Sequence, residues 1–198
     1  MRIAATIRIL ALAEATAQAR GGDNEPSVTS VLTSRISIPS ETLMWAQSGA
    51  RKMFARAGVR LDWRTNQAGS AGTHRAIIVE IISNTPAKSH PGALAYAQLY
   101  DGSYVRVFYD RIENPYSTHA TGMLLAHVLV HEITHIIEGS DRHAQEGVMK
   151  ARWTHKDLVD MTWRSLPFAS EDIRLLHDRL NNSGRQTAQV HLFDNRNQ

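Results

Sequence analysis

Residues 118–143 read THATGMLLAHVLVHEITHIIEGSDRH. Leu124, Leu125, Val128, Leu129, Val130, Ile133, Ile136 and Ile137 surround two histidines set four residues apart. This spacing predicts one long helix, Thr118 to Glu138, stopped by Gly139. On such a helix His131 and His135 project from one face, one turn apart. Their imidazole nitrogens can then meet a single metal ion, for which zinc is the natural candidate. Glu132 lies beside the pair, where a carboxylate can take a proton from an activated water. The bland alternative is a solvated helix face with one satisfied histidine. The apolar flanks argue against it, because a buried helix does not carry His, Glu and His without partners.

Upstream of this helix the signals are those of a sheet. Ser27 to Ile38 is rich in β-branched residues and reads as a strand. Pro39-Ser40 opens a helix with Ser40 as N-cap and Glu41 in its first turn. Leu43, Ala46, Ala50, Phe54 and Ala57 recur on its apolar face, Arg51, Lys52 and Arg56 face solvent, and Gly58 closes it. Val59 to Trp63 reads as a second strand, Asn66 to Thr73 as a loop, and Ala76 to Ile82 as a central strand buried on both faces. Ala93 to Tyr100 and Ser103 to Tyr109 flank Asp101-Gly102, a hairpin signal. Downstream, helices are expected at Lys156 to Trp163 and at Ser170 to Asn181, the latter with Ser170 as N-cap and Glu171 and Asp172 near its dipole. The order β-α-β-β-β-β followed by helices defines an α+β domain with a mixed sheet, an N-terminal helix and the motif helix behind it.

Composition sets the outer limits. The chain has 198 residues, enough for one domain with a real core, and 42% hydrophobic against 21% charged residues reads as globular. A net charge of +3 comes from scattered basic residues rather than a stripe, so nucleic acid is not an expected partner. The absence of cysteine excludes disulfides and thiolate metal sites. No stretch reads as a membrane span of ~18 apolar residues. Residues 1–26 form an N-terminal extension. Met1 to Ala19 is alanine-rich and ends in Ala17-Gln18-Ala19, as an export signal would, but Arg8 and Glu14 interrupt it, so a degenerate signal and an N-terminal helix are both open.

Two histidines do not complete a catalytic metal site, which commonly takes three protein ligands and a water. After His135 the chain runs IIEGSDRH, and a turn at Gly139 can bring His143 back to the ion. Gly147-Val148-Met149 follows shortly.

The run HEITHIIEGSDRH followed by GVM resembles the metzincin clan of zinc endopeptidases. Phe108 to Trp153 more closely resembles a group of small bacterial proteins predicted to be secreted, with the pattern HExxHxxxGSxxHxxxGIMxxxW. Ser40 to Trp63 is similar to their first helix and strand. The resemblance implies a metzincin-like zincin fold with one catalytic Zn2+, held by His131, His135 and His143. It implies Glu132 as general base and Met149 as the methionine turn beneath the metal, and it inclines towards a secreted or periplasmic location. The chain departs from the usual metzincin spacing. The positions of the glycine and third ligand hold Glu138 and Asp141, with Gly139 one and His143 two residues further on. Asp141 is therefore an alternative third ligand, or else a group that fixes a ligand histidine, or a plain turn residue.

Other residues have ordinary readings beside functional ones. His127 is expected to be packed and hydrogen-bonded rather than to line the cleft, and Glu138 to be a helix-end carboxylate. Glu146 or Glu171 would be needed only in a thermolysin-like site. Met149 could be plain core, and Trp153 and Trp163 are expected there. The implied activity is peptide-bond hydrolysis by a zinc-activated water, on a peptide or protein substrate. One strand of the 93–109 hairpin would be the edge that pairs with it, and charge-neutral specificity pockets would come from that edge and from Lys150 to Trp163. The alternative is a non-catalytic zinc-binding module, structural or partner-binding. Residues 27–183 form the single domain, and 184–198 a polar tail.

Overall fold

The computed structural model describes residues 25–64, 76–99 and 103–194, with side chains as far as residue 183. The export-signal reading, the 66–73 loop and the Asp101-Gly102 turn lie outside the described residues. Among the described residues, five strands and four α-helices make a mixed α/β domain: β1 (Ser27–Ser34), α1 (Ser40–Arg56), β2 (Arg60–Arg64), β3 (Ile77–Ile82), β4 (Ala95–Gln98), β5 (Tyr104–Phe108), α2 (Thr118–Glu138), α3 (His155–Met161) and α4 (Ser170–Asp194). The strand order is β2-β1-β3-β5-β4. The first four are parallel, and β4 runs antiparallel to β5 at the edge, in the register Ala95 to Val107. The predicted order of elements and the hairpin strands are thus present.

The β-branched run of β3 makes it central, but it is buried on one face only. Ile77, Val79 and Ile81 are buried in the core, while Ile78 is 42% exposed. Glu80, also on the outer face, is covered by polar groups: Tyr104 Oη and Arg35 Nε donate to it, and Arg106 Nε donates at 2.9 Å. Period two explains the difference, because the helices pack against one face of the sheet and leave the other to charged side chains.

The ends of α1 differ in part from expectation. Pro39 is the N-cap and no side chain caps it, so Ser40 is the first helical residue. At the other end Gly58 (φ +70°) and Val59 donate backbone N–H groups to Ala55 and Phe54, a Schellman closure. For α4, Ile173 N–H donates to the Ala169 carbonyl and Ala169 N–H to Asp172 Oδ2, which makes Ala169 rather than Ser170 the cap. That helix runs thirteen residues past the expected Asn181, to Asp194.

Helix α2 is the pillar of the core. Leu125, Leu129 and Ile133 are wholly buried, each worth about 1.5–3 kcal/mol on removal from water. Its start is capped by Ser117, whose side chain accepts from Ala120 N–H, and its end by Gly139 at φ 61°. By length and apolar character α2 could span a bilayer, but it is mostly buried inside the protein. It packs against α1, the β4 edge and α4. This burial fixes the rotation of the helix, and so the direction in which its histidines point.

Candidate metal centre and cleft

His131, Glu132 and His135 sit in the fourth and fifth turns of α2, all three buried. The left-handed Gly139 lets the chain reverse, with Gly139 N–H and Ser140 N–H both returning to the His135 carbonyl. This reversal brings His143 over the helix. The ligating atoms of His131, His135 and His143 all lie within 4.8 Å of one another. Ring centroids are 4.6 Å apart for His131 and His135, 5.3 Å for His131 and His143, and 4.9 Å for His135 and His143. Asp141, the competing residue, is exposed and outside this group, as are Glu146 and Glu171.

Two backbone carbonyls fix the buried pair. His131 Nδ1 is 2.9 Å from the Val148 carbonyl and His135 Nδ1 is 2.8 Å from that of Ser140. A carbonyl only accepts, so both Nδ1 atoms carry hydrogen and both Nε2 atoms present lone pairs. Those Nε2 atoms face each other at 3.0 Å. Two lone pairs so placed repel unless a cation lies between them, and two nitrogens on one tetrahedral zinc stand about 3.3 Å apart. The donor set therefore fits zinc. Burial lowers the pKa of His131 to about 4 and pulls that of His135 down as well, which keeps both rings in the neutral form that ligation needs. Burial pushes Glu132 up to about 8. A divalent cation in the same cleft acts in the opposite direction.

A turn from Ala144 to Lys150 supports the centre from below. Ala144 N–H donates to the Met149 carbonyl at 2.8 Å, Met149 is wholly buried, and the Val148 carbonyl that holds His131 also accepts from Trp153 Nε1. Trp153 stands edge-on to His131, with centroids 5.6 Å apart. Gly147 has φ +75°, and a Cβ there would lie 2.2 Å from the Pro167 carbonyl oxygen. Strain and overlap together should cost Gly147→Ala about 3 kcal/mol or more. A urea melt checks this, and the turn that carries the Val148 carbonyl should loosen with it.

His127 is the packed histidine that was expected. Its Nδ1 donates to the Met123 carbonyl (2.7 Å), its Nε2 accepts from Leu166 N–H (3.0 Å), and burial lowers its pKa to about 4. The unfolded chain takes a proton near pH 6.5 and the folded chain does not until about 4. This contribution is therefore complete above pH 6.5 and lost as pH falls, by about 3 kcal/mol in all. Urea midpoints of the chelator-treated chain between pH 7.5 and 4.5 should fall, and His127→Gln, which retains an acceptor and does not titrate, should fall less steeply.

A cleft of about 740 Å³ opens on the histidines. One wall is His90 to Ala95, leading into β4; the other is Lys150 to Trp153 with Leu158; and His131, Glu132 and His143 line the floor. Phe108 N–H donates to the Leu94 carbonyl, so by antiparallel alternation the backbone groups of Ala95 and Ala97 face away from β5. The walls are not charge-neutral as expected: Lys150 and Arg152 both line the cleft, and Lys150 is paired to Asp157 at 2.5 Å. Trp163 is 87% exposed rather than core, because Met161 is the residue that α3 buries and Trp163 falls beyond the helix end.

Sequence reasoning missed the carbonyls of Ser140 and Val148, which no side-chain pattern announces. It also missed a buried ionic group behind the centre. Arg142 donates to Glu138 Oε1 (3.3 Å) and to Asp172 Oδ1. Asp172 was placed at a helix dipole and Glu138 at a helix surface; both are buried.

No model of a known family matches the sequence, and no curated protein matches it. Among solved structures, the fold is similar to that of archaemetzincin from Methanopyrus kandleri. The TM-score is 0.50 at 15% identity, covering 80% of this chain and 98% of that one. The α+β fold class expected from the sequence is the one observed.

Proposed function

We propose that this chain is a zinc-dependent endopeptidase, with His131, His135 and His143 as metal ligands and Glu132 as general base. The observation that carries the reading is the pair of Nε2 lone pairs 3.0 Å apart, with a third imidazole beside them, on the floor of an open cleft. A purely structural zinc site is closed and needs no carboxylic acid beside it. The fold likeness to archaemetzincin supports the same reading.

When bound, zinc supplies Lewis acidity: it lowers the pKa of water and polarises a carbonyl. The chain supplies the rest. An extended peptide pairs with the free edge of β4 through Ala95 and Ala97, which lays its backbone along the floor of the cleft. Glu132 takes the proton from the attacking water and returns it to the leaving amine. The Val148 and Ser140 carbonyls hold the two histidines in one tautomer throughout. Met149, wholly buried next to Val148, would be the polarisable methionine beneath the ion.

The test is digestion of casein by the zinc-loaded chain beside zinc-loaded Glu132→Ala. Cleavage by the parent alone is expected. No cleavage by either, with zinc bound in both, would put the non-catalytic zinc module in its place.

A further inference from the structure

Arg142 immediately precedes His143, the proposed third ligand, in the loop that reverses at Gly139. His143 is exposed; on its far side Ala144 N–H is tied to the Met149 carbonyl, and on its near side the loop carries Arg142. The Arg142 side chain turns away from the cleft and into the protein. Its guanidinium bridges Glu138, in the last turn of α2, and Asp172, in the first turn of α4. The Asp172 side chain is wholly buried. Its other oxygen accepts from Ala169 N–H at 3.0 Å, which ties the same carboxylate to the start of α4.

The segment Leu166 to Asp172 thus touches the centre's supports in three places. Leu166 N–H meets His127, one turn before His131. The Pro167 carbonyl accepts from Val148 N–H at 2.8 Å, and Val148 holds His131. Asp172 holds Arg142. None of the three contacts involves a metal ligand directly, yet each sits one residue, one hydrogen bond or one helical turn from one.

A stability role explains this group poorly. Glu138 Oε2 and Arg142 Nε are buried without a protein partner. A buried ionic cluster with unsatisfied atoms gains little over apolar residues of the same volume. What it does achieve is a fixed position for one exposed loop. We infer that Asp172, acting through Arg142, is a positioning residue for the third metal ligand, so that the start of α4 sets metal affinity. The inference rests on the zinc-centre reading above.

The test is metal binding by the full chain, with chelator competition for zinc and visible absorption for cobalt. Asp172→Asn keeps an acceptor for Ala169 but loses the charge that holds Arg142. It should weaken zinc about 10–100-fold, the usual range when a residue supporting a ligand is lost. Its cobalt spectrum should move towards that of His143→Ala. In a His143→Ala background the same substitution should change affinity no further, because the residue acts only through that ligand. Arg142→Lys keeps the charge but cannot span both carboxylates. It should weaken zinc likewise, and it is the variant to measure if Asp172→Asn does not fold. Unchanged affinity in a folded variant, or equal losses in both backgrounds, would overturn the positioning role alone. A parent chain that binds neither metal would overturn the zinc centre, and this inference with it.

Discussion

Glu132→Gln is expected to bind zinc as tightly as the parent and to lose about 10²–10⁴-fold in turnover, the usual contribution of a general base. Glutamine preserves the volume and one acceptor oxygen but cannot take a proton. Glu132 makes no hydrogen bond to His131 or His135; those rings are held by the Val148 and Ser140 carbonyls. The metal site should therefore survive the substitution intact. Replacing a buried carboxyl that burial already pushes up to about 8 should also leave the fold at least as stable near neutral pH, since an uncharged amide avoids that desolvation cost. Casein digestion, zinc titration and a thermal melt on the same preparation check all three statements. A Glu132→Gln variant with parental turnover would end the proposed mechanism.

Zinc should raise the melting temperature of the metal-free chain substantially. The two Nε2 lone pairs 3.0 Å apart are a repulsive contact that a cation turns into an attractive one. At a free zinc concentration of about 1,000 Kd, binding to the folded state alone adds about 4 kcal/mol. For a chain of this size that corresponds to about 8–16 °C. Chelation should reverse the shift. His135→Ala should abolish it, because the variant removes both one ligand and the repulsion. His143→Ala should leave a smaller shift, since the buried pair remains. A parent chain whose melting temperature ignores zinc would remove the metal centre from consideration.

Much of this could be read from the chain. The bounds of α2, Thr118–Glu138, follow from an apolar run that stops at a glycine, a local effect; the Ser117 cap at its start came with the structure. The β-α-β start, the central strand at Ile77–Ile82 and the hairpin strands follow from β-branched and apolar runs, a helical period of 3.6 and a turn signal. The His131, Glu132, His135 face follows from helical geometry alone. At Ile78 reading failed because of neighbours distant in sequence, and at Trp163 because of a helix end. Ile78 is exposed because the helices cover only one face of the sheet. Trp163 is exposed because α3 ends before it can turn inward.

The sequence by itself determined that this chain is an α+β domain with two histidines and a glutamate on one helical face, since spacing on a helix depends only on chemistry within a few residues. Only the tertiary structure brings the ligating atoms of His143 within 4.8 Å of those of His131 and His135 and leaves Asp141 outside that group, because that depends on where a left-handed Gly139 sends the next four residues. The same holds for the tautomers set by Val148 and Ser140, and for the pairing of Arg142 with Asp172, thirty residues along. Such contacts arise from the packing of whole elements, and no local pattern encodes them.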